Sequence, residues 1–178
     1  MLISLRADKT RRICFDALLT ATAMLLSYLE TVIPLQMLIP LPGVRLGLAN
    51  FAVVTVFALV SPWDAALVSA VRILATGLLF GSVTSLYFSA LGGLCSFLML
   101  LLLRFVGRKM SFVGVSILSA AAHNTGQILA AVTLFDGSLL FSYLPMLLVA
   151  SIFCGGAVGI LLNLTLPRLQ RILEGGQR

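Results

Sequence analysis

Away from the charged ends of this 178-residue chain, only a few side chains could do polar chemistry, and their spacing groups them. Ser116, Ala120, His123, Asn124 and Gln127 stand close together in one apolar stretch. At about 100° per residue they fall within roughly one 100° arc of a helix. An imidazole and two amides on one face can orient a polar head group. Their other use is interhelical glue, worth about 0.6–2 kcal/mol per contact in a membrane. Upstream, Ala65, Ser69, Arg72 and Thr76 recur at i, i+4, i+7 and i+11, so small and polar groups line a stripe around a cation. Such an arginine either snorkels to an interface or meets a polar ligand or Glu30. Asn50 and Arg45 add polarity on a neighbouring stretch, and Glu30 can pair with Arg45, with Arg72 or with a ligand amine. If one arginine takes Glu30, the other suits an anionic ligand, a carboxylate or a phosphate, because guanidinium donors match such oxygens.

The elements that must position these groups follow from composition. The chain is 60% hydrophobic and 10% charged, with a mean hydropathy of +1.12. Soluble domains run nearer half apolar and a quarter charged. A water-soluble fold this small could not bury so much apolar surface, so lipid is the solvent for most of the chain. The expected architecture is an all-α polytopic bundle of about six transmembrane helices, forming a single domain over residues 1–178.

Crossing the hydrocarbon core takes about 20 apolar residues, and six stretches approach that length. The first runs from about Ile13 to Ile33, stopped by Pro34, and is read as a retained helix because no clean cleavage site closes it. The second runs from about Leu46 to Val60 and the third from about Ala65 to Phe80. The fourth covers about Val83 to Phe105, the fifth Phe112 to Phe135, and the sixth Tyr143 to Leu166, ended by Pro167. Proline and glycine are the expected punctuation. The second and third are short, which leaves five spans plus a re-entrant segment as the alternative.

Lys and Arg sit in short clusters between the apolar runs. Residues 1–12, the connection with Arg104, Arg108 and Lys109, and the tail 168–178 hold ten of the twelve. Clusters of this kind flank spans on the cytoplasmic side. Both ends are therefore expected in the cytoplasm of a multi-pass protein of the cell membrane, with an even number of spans. The net charge of +6 forms no single basic face, so nucleic acid is not an expected partner. The apolar, proline-rich stretch Pro34–Arg45 reads as a segment lying on or dipping into the outer mouth of the bundle.

Several chemistries lack their residues. One histidine, three scattered cysteines and no nearby carboxylate argue against a metal site. The six acids are isolated, whereas prenyl-diphosphate chemistry uses clustered aspartates to hold magnesium against the diphosphate. No Walker loop and no G-x-S-x-G elbow is present. Catalysis by this chain alone is not expected, and no cofactor is implied.

Two stretches carry a family likeness: Pro42-Gly-Val-Arg-Leu-Gly-Leu-Ala-Asn-Phe51 and Ala121-Ala-His-Asn-Thr-Gly-Gln127. They resemble the bacterial membrane family called Gx transporter, also labelled heptaprenyl diphosphate synthase component I. That family in turn resembles the substrate-binding S components of energy-coupling factor (ECF) transporters. The resemblance implies about six helices and a first-helix A-x-x-x-A motif that docks a coupling subunit, which Ala17 and Ala21 fit. It also implies an outer loop that closes over a ligand. The expected function is a transport component that captures a small organic, possibly anionic, solute, with ATPases supplied by partners. Arg72, His123, Asn124, Gln127, Asn50, Arg45 and Glu30 would line the site. The alternative is a non-catalytic membrane subunit of isoprenoid or quinone synthesis.

Overall fold

The computed structural model describes residues 9–32, 47–106, 110–135 and 137–175. Among the described residues six α-helices follow one another: α1 Lys9–Val32, α2 Asn50–Leu59, α3 Pro62–Phe80, α4 Val83–Val106, α5 Phe112–Phe135 and α6 Leu144–Gly175. A short 3-10 helix, Ser138–Tyr143, leads into α6. There is no strand among the described residues.

Serines open three of these helices. Ser61 accepts from the Asp64 amide at 3.2 Å and Pro62 follows it at the first helical position, where its missing N–H costs nothing. Ser82 accepts from the Ser85 amide at 3.1 Å and Ser111 from the Gly114 amide at 3.2 Å. Each oxygen satisfies one of the orphan donors of a helix start.

Four of the helical stretches are long and apolar enough to cross a membrane: Lys9–Glu30, Pro62–Phe80, Val83–Val106 and Leu139–Ile172. Their outward faces carry large exposed hydrophobic side chains, among them Leu25 on α1, Leu78 on α3, Leu98 on α4 and Phe153 on α6. A water-soluble protein does not expose apolar surface on that scale; lipid covers it here. The fifth long helix, α5, has the same 24 residues as α4 but spends one face on polar groups. It packs between α4 and α6.

Two expectations need correction. The second stretch, expected to cross from Leu46, is helical only over Asn50–Leu59. Ten residues rise about 15 Å, half the hydrocarbon thickness, and the helix is buried on nearly all sides. It is a short interior helix. Because α1 and α3 both start at the end where Arg12 meets Asp64, α2 runs back toward that end, which a re-entrant segment would not do. Pro167 does not end the sixth helix, which runs on to Gly175. The apolar face explains the continuation: Val158, Leu162, Leu166 and Leu169 pack against one core cluster, so the helix stays docked past the proline. The tail expected from residue 168 is therefore largely helical.

One end of the bundle is basic. Arg12 on α1 donates from Nη2 to both carboxylate oxygens of Asp64 on α3 at 2.6 Å. Ser61 donates to the same carboxylate at 2.6 Å. Arg11 reaches the carbonyl of Ile172 at 3.4 Å, which brings the start of α1 and the end of α6 to the same side. Arg104 lies over the Phe57 ring, 6.0 Å from its centre. Asp64→Asn keeps the size but loses the charge of this clamp. It should lower stability by about 1–2 kcal/mol, read as an earlier transition when the purified protein is unfolded in SDS.

Apolar residues pack in two clusters. One joins Leu19 and Ala23 of α1, most of α2, Ala65 and Val68 of α3, Leu100 of α4 and Leu162 of α6. The other joins Phe88 of α4, Ile128, Ala130 and Ala131 of α5, and Leu147 of α6. Between the two levels, every long helix contributes buried polar residues: Ser27 and Glu30, Ser69 and Arg72, Ser89 and Ser96, His123, Asn124 and Gln127, and Ser151. The core is thus two apolar ends with a polar layer between them.

Candidate functional site

The polar layer is built around the start of α2. Gly47 there has φ +84°, a conformation that a residue with a Cβ rarely adopts. The turn it makes lets the Asn50 amide donate to its carbonyl at 2.9 Å. A Cβ on Gly47 would lie 3.5 Å from both Asn50 Nδ2 and His123 Cδ2, so the turn, the Asn50 amide and the imidazole edge meet at one point.

His123 is 2% exposed and Gln127 fully buried, one turn apart on α5. The Gln127 amide nitrogen lies 2.9 Å from His123 Nε2. With that amide donating, Nε2 accepts and the ring proton sits on Nδ1. The other edge of the ring lies against Gly92 of α4, where a Cβ would stand 2.8 Å from Cε1 and 2.9 Å from Nδ1. The sequence reading missed Gly92. A paired glycine, Gly92-Gly93, inside an apolar helix was the available signal of close backbone approach.

Arg72 is 3% exposed and donates from Nη1 to Ser27 of α1 at 3.3 Å. The Thr76 hydroxyl donates to the Arg72 carbonyl. One turn beyond Ser27, Glu30 accepts the Leu48 amide through Oε1. The contacts therefore run from Arg72 to Ser27, along α1 to Glu30, across to the 47–50 turn, and on to His123 and Gln127. The cation and the imidazole are both buried, and the start of α2 lies against Glu30 and against the imidazole edge.

Asn124 takes a different direction. Its amide donates to the Leu147 carbonyl at 2.9 Å and to Ser151 Oγ at 2.8 Å, both on α6. Although it shares the polar arc with His123, it sits about 100° further round and clasps α5 to α6. Asn124→Ala should cost about 1–2 kcal/mol, since membrane hydrogen bonds are worth about 0.6–1.7 kcal/mol each. The check is SDS unfolding, with no change expected in small-molecule retention. Ala17 and Ala21 lie exposed on the outer face of α1, away from the layer. Arg45 falls outside the described residues, as does the Pro34–Arg45 segment.

A family model described as heptaprenyl diphosphate synthase component I matches residues 19–165. The chain belongs to that family. The matched region takes in the polar layer from Ser27 to Ser151, so the site lies within the part that defines the membership. No curated protein and no solved structure matched the chain. A family described as one component of a synthase agrees with the expectation that this chain is not itself the enzyme. The family description supports the isoprenoid-synthesis alternative above the transport reading, and it implies a partner component.

Proposed function

We propose that this chain is a non-catalytic membrane component that holds a small polar or anionic organic molecule in its polar layer and works with a partner subunit. The observation that carries the reading is the burial of Arg72, His123, Gln127 and Asn50, drawn from three helices to one depth of a lipid-facing bundle. Ionisable groups at bilayer depth are costly and mark binding or transfer sites by default. The family description favours a partner in heptaprenyl diphosphate synthesis, a catalytic subunit supplying the aspartate-bound magnesium that this sequence lacks.

A second reading, an ECF-type S component importing a solute, is favoured by the exposed Ala17 and Ala21 on α1. Two small residues one turn apart let another helix approach closely. Both readings place the two termini in the cytoplasm, where the basic clusters would lie. Native mass spectrometry of the gently extracted, tagged full chain separates them. An aspartate-rich prenyl synthase in the complex supports the first, and a coupling subunit with ATPases supports the second. A chain recovered alone and empty overturns the proposal.

A further inference from the structure

The serine stripe of α4 contributes to the polar layer. Ser85, Ser89 and Ser96 are all buried, with Gly92 between them. Ser96 bonds Ser119 of α5 at 2.7 Å, and Gly92 touches His123, so that side of α4 faces α5. Gly93 faces Ile73 and Ser69 of α3, and a Cβ on Gly77 of α3 would meet Leu86. Taking Gly92 as zero on a helical wheel, the α5-facing residues Gly92, Ser85 and Ser96 fall between 0° and about 40°. Those facing α3, Gly93 and Leu86, fall at about 100–120°. Ser89 lies at about 60°, between the directions of α3 and α5.

The pairing of levels agrees. Along antiparallel α4 and α5, Ser96 meets Ser119 and Gly92 meets His123, which sets Ser89 near the level of Gln127. Along α4 and α3, Gly93 meets Ser69 and Leu86 meets Gly77, which sets Ser89 between the levels of Arg72 and Thr76. Ser89 is only 3% exposed, and among the described residues its Oγ has no hydrogen-bond partner. Helical hydroxyls commonly bond back to the carbonyl four residues earlier. Thr55, Thr125, Ser151 and Thr165 do so here, and Ser89 does not. The Asn50 Nδ2 donor, near the Cδ2 edge of the His123 ring, is also buried without a partner among the described residues.

Resting on the proposed small-molecule site, we infer that Ser89 is a further ligand contact, and that with Asn50 and Arg72 it donates to an oxyanion, a carboxylate or a phosphate. A buried donor left unmade costs about 1–3 kcal/mol. Ser89, near the levels of Gln127 and Arg72, and Asn50, at the His123 edge, are two such donors in the polar layer, and an acceptor-only group satisfies them.

The test uses the full chain with Cys14, Cys95 and Cys154 replaced by alanine and with Ser89→Cys supplying the sole thiol. Anionic 2-sulfonatoethyl methanethiosulfonate should label that thiol at least tenfold faster than the cationic trimethylammonioethyl reagent. Arg72→Gln in the same background should remove that preference. Protection by inorganic pyrophosphate or farnesyl diphosphate assigns a phosphate, and protection by succinate a carboxylate. No labelling, equal labelling by both reagents, or no protection by any of the three overturns the inference. If the introduced thiol is inert while the wild-type chain retains a small molecule in native mass spectrometry, only the Ser89 assignment falls. An empty wild-type chain removes the underlying reading as well.

Discussion

Arg72→Gln protein should insert, fold and purify like the wild type, yet lose its small molecule. Placing an arginine at the centre of a membrane helix costs about 2.5–3.5 kcal/mol on the insertion scale, so the side chain is not there for insertion. Its contact with Ser27, at 3.3 Å, is a long bond to a neutral hydroxyl and contributes little to holding α1 against α3. The clamp between those helices is Arg12 with Asp64, at the basic end. Glutamine keeps a polar amide in the layer, removes the charge and shortens the reach. Loss of a charge-assisted contact to an anion should weaken retention at least 100-fold, about 3 kcal/mol. Lysine restores the charge without the planar fork and should recover no more than a tenth of the affinity. The measurement is occupancy by native mass spectrometry, beside helicity by circular dichroism. Wild-type occupancy in the glutamine variant would sink the reading; so would a variant that fails to fold.

How much of this was legible in the sequence depends on how local the cause is. The polar arc of α5 could be read directly, because polar residues are rare in an apolar helix and their period is fixed by helix geometry. Burial of Arg72 and His123 followed from the same rarity. What the arc could not reveal was its division. A 100° face is wide enough to meet two neighbours, so His123 turns to Gly92 and the 47–50 turn while Asn124 turns to α6. Nothing local distinguishes those directions.

The length of α2 was hidden for a related reason. Apolar residues run on from Leu46 to Val60, but Gly47 turns the chain and helical bonding begins only at Asn50. Hydropathy records what a segment dissolves in, not where its backbone turns. Pro167 misled in the opposite direction. As a local signal it stops a helix, but the apolar period carries through it to Leu169, and packing against the core outweighs one lost backbone bond. The Ser27 anchor comes from tertiary approach, and no pattern within α1 encodes it; the pair Gly92-Gly93 signals close approach but not that His123 is the neighbour.

Close approach also yields the largest expected effect on stability. Gly155, Gly156 and Gly159 lie within five positions on α6, and their surroundings differ completely. A Cβ on Gly159 would overlap the Cα of Val113 and stand 3.1 Å from its amide nitrogen, on α5. One on Gly155 would stand 2.7 Å from the Cα of Ile117. Both obstacles are backbone, which no rotamer change can move. On Gly156 it would meet nothing within 4 Å. Gly159→Ala should therefore force α6 away from α5 at a cost of about 2–3 kcal/mol, with Gly155→Ala close behind. Gly156→Ala should be neutral, or stabilising by up to about 1 kcal/mol through helix propensity. The same methyl group, placed one turn apart on one helix, thus separates packing from propensity. SDS unfolding of the three purified variants decides it. Equal transitions for Gly156→Ala and Gly159→Ala would mean that α5 and α6 are not in backbone contact there. The α5 face that carries His123 and Gln127 would then have lost the support that holds it against the rest of the polar layer.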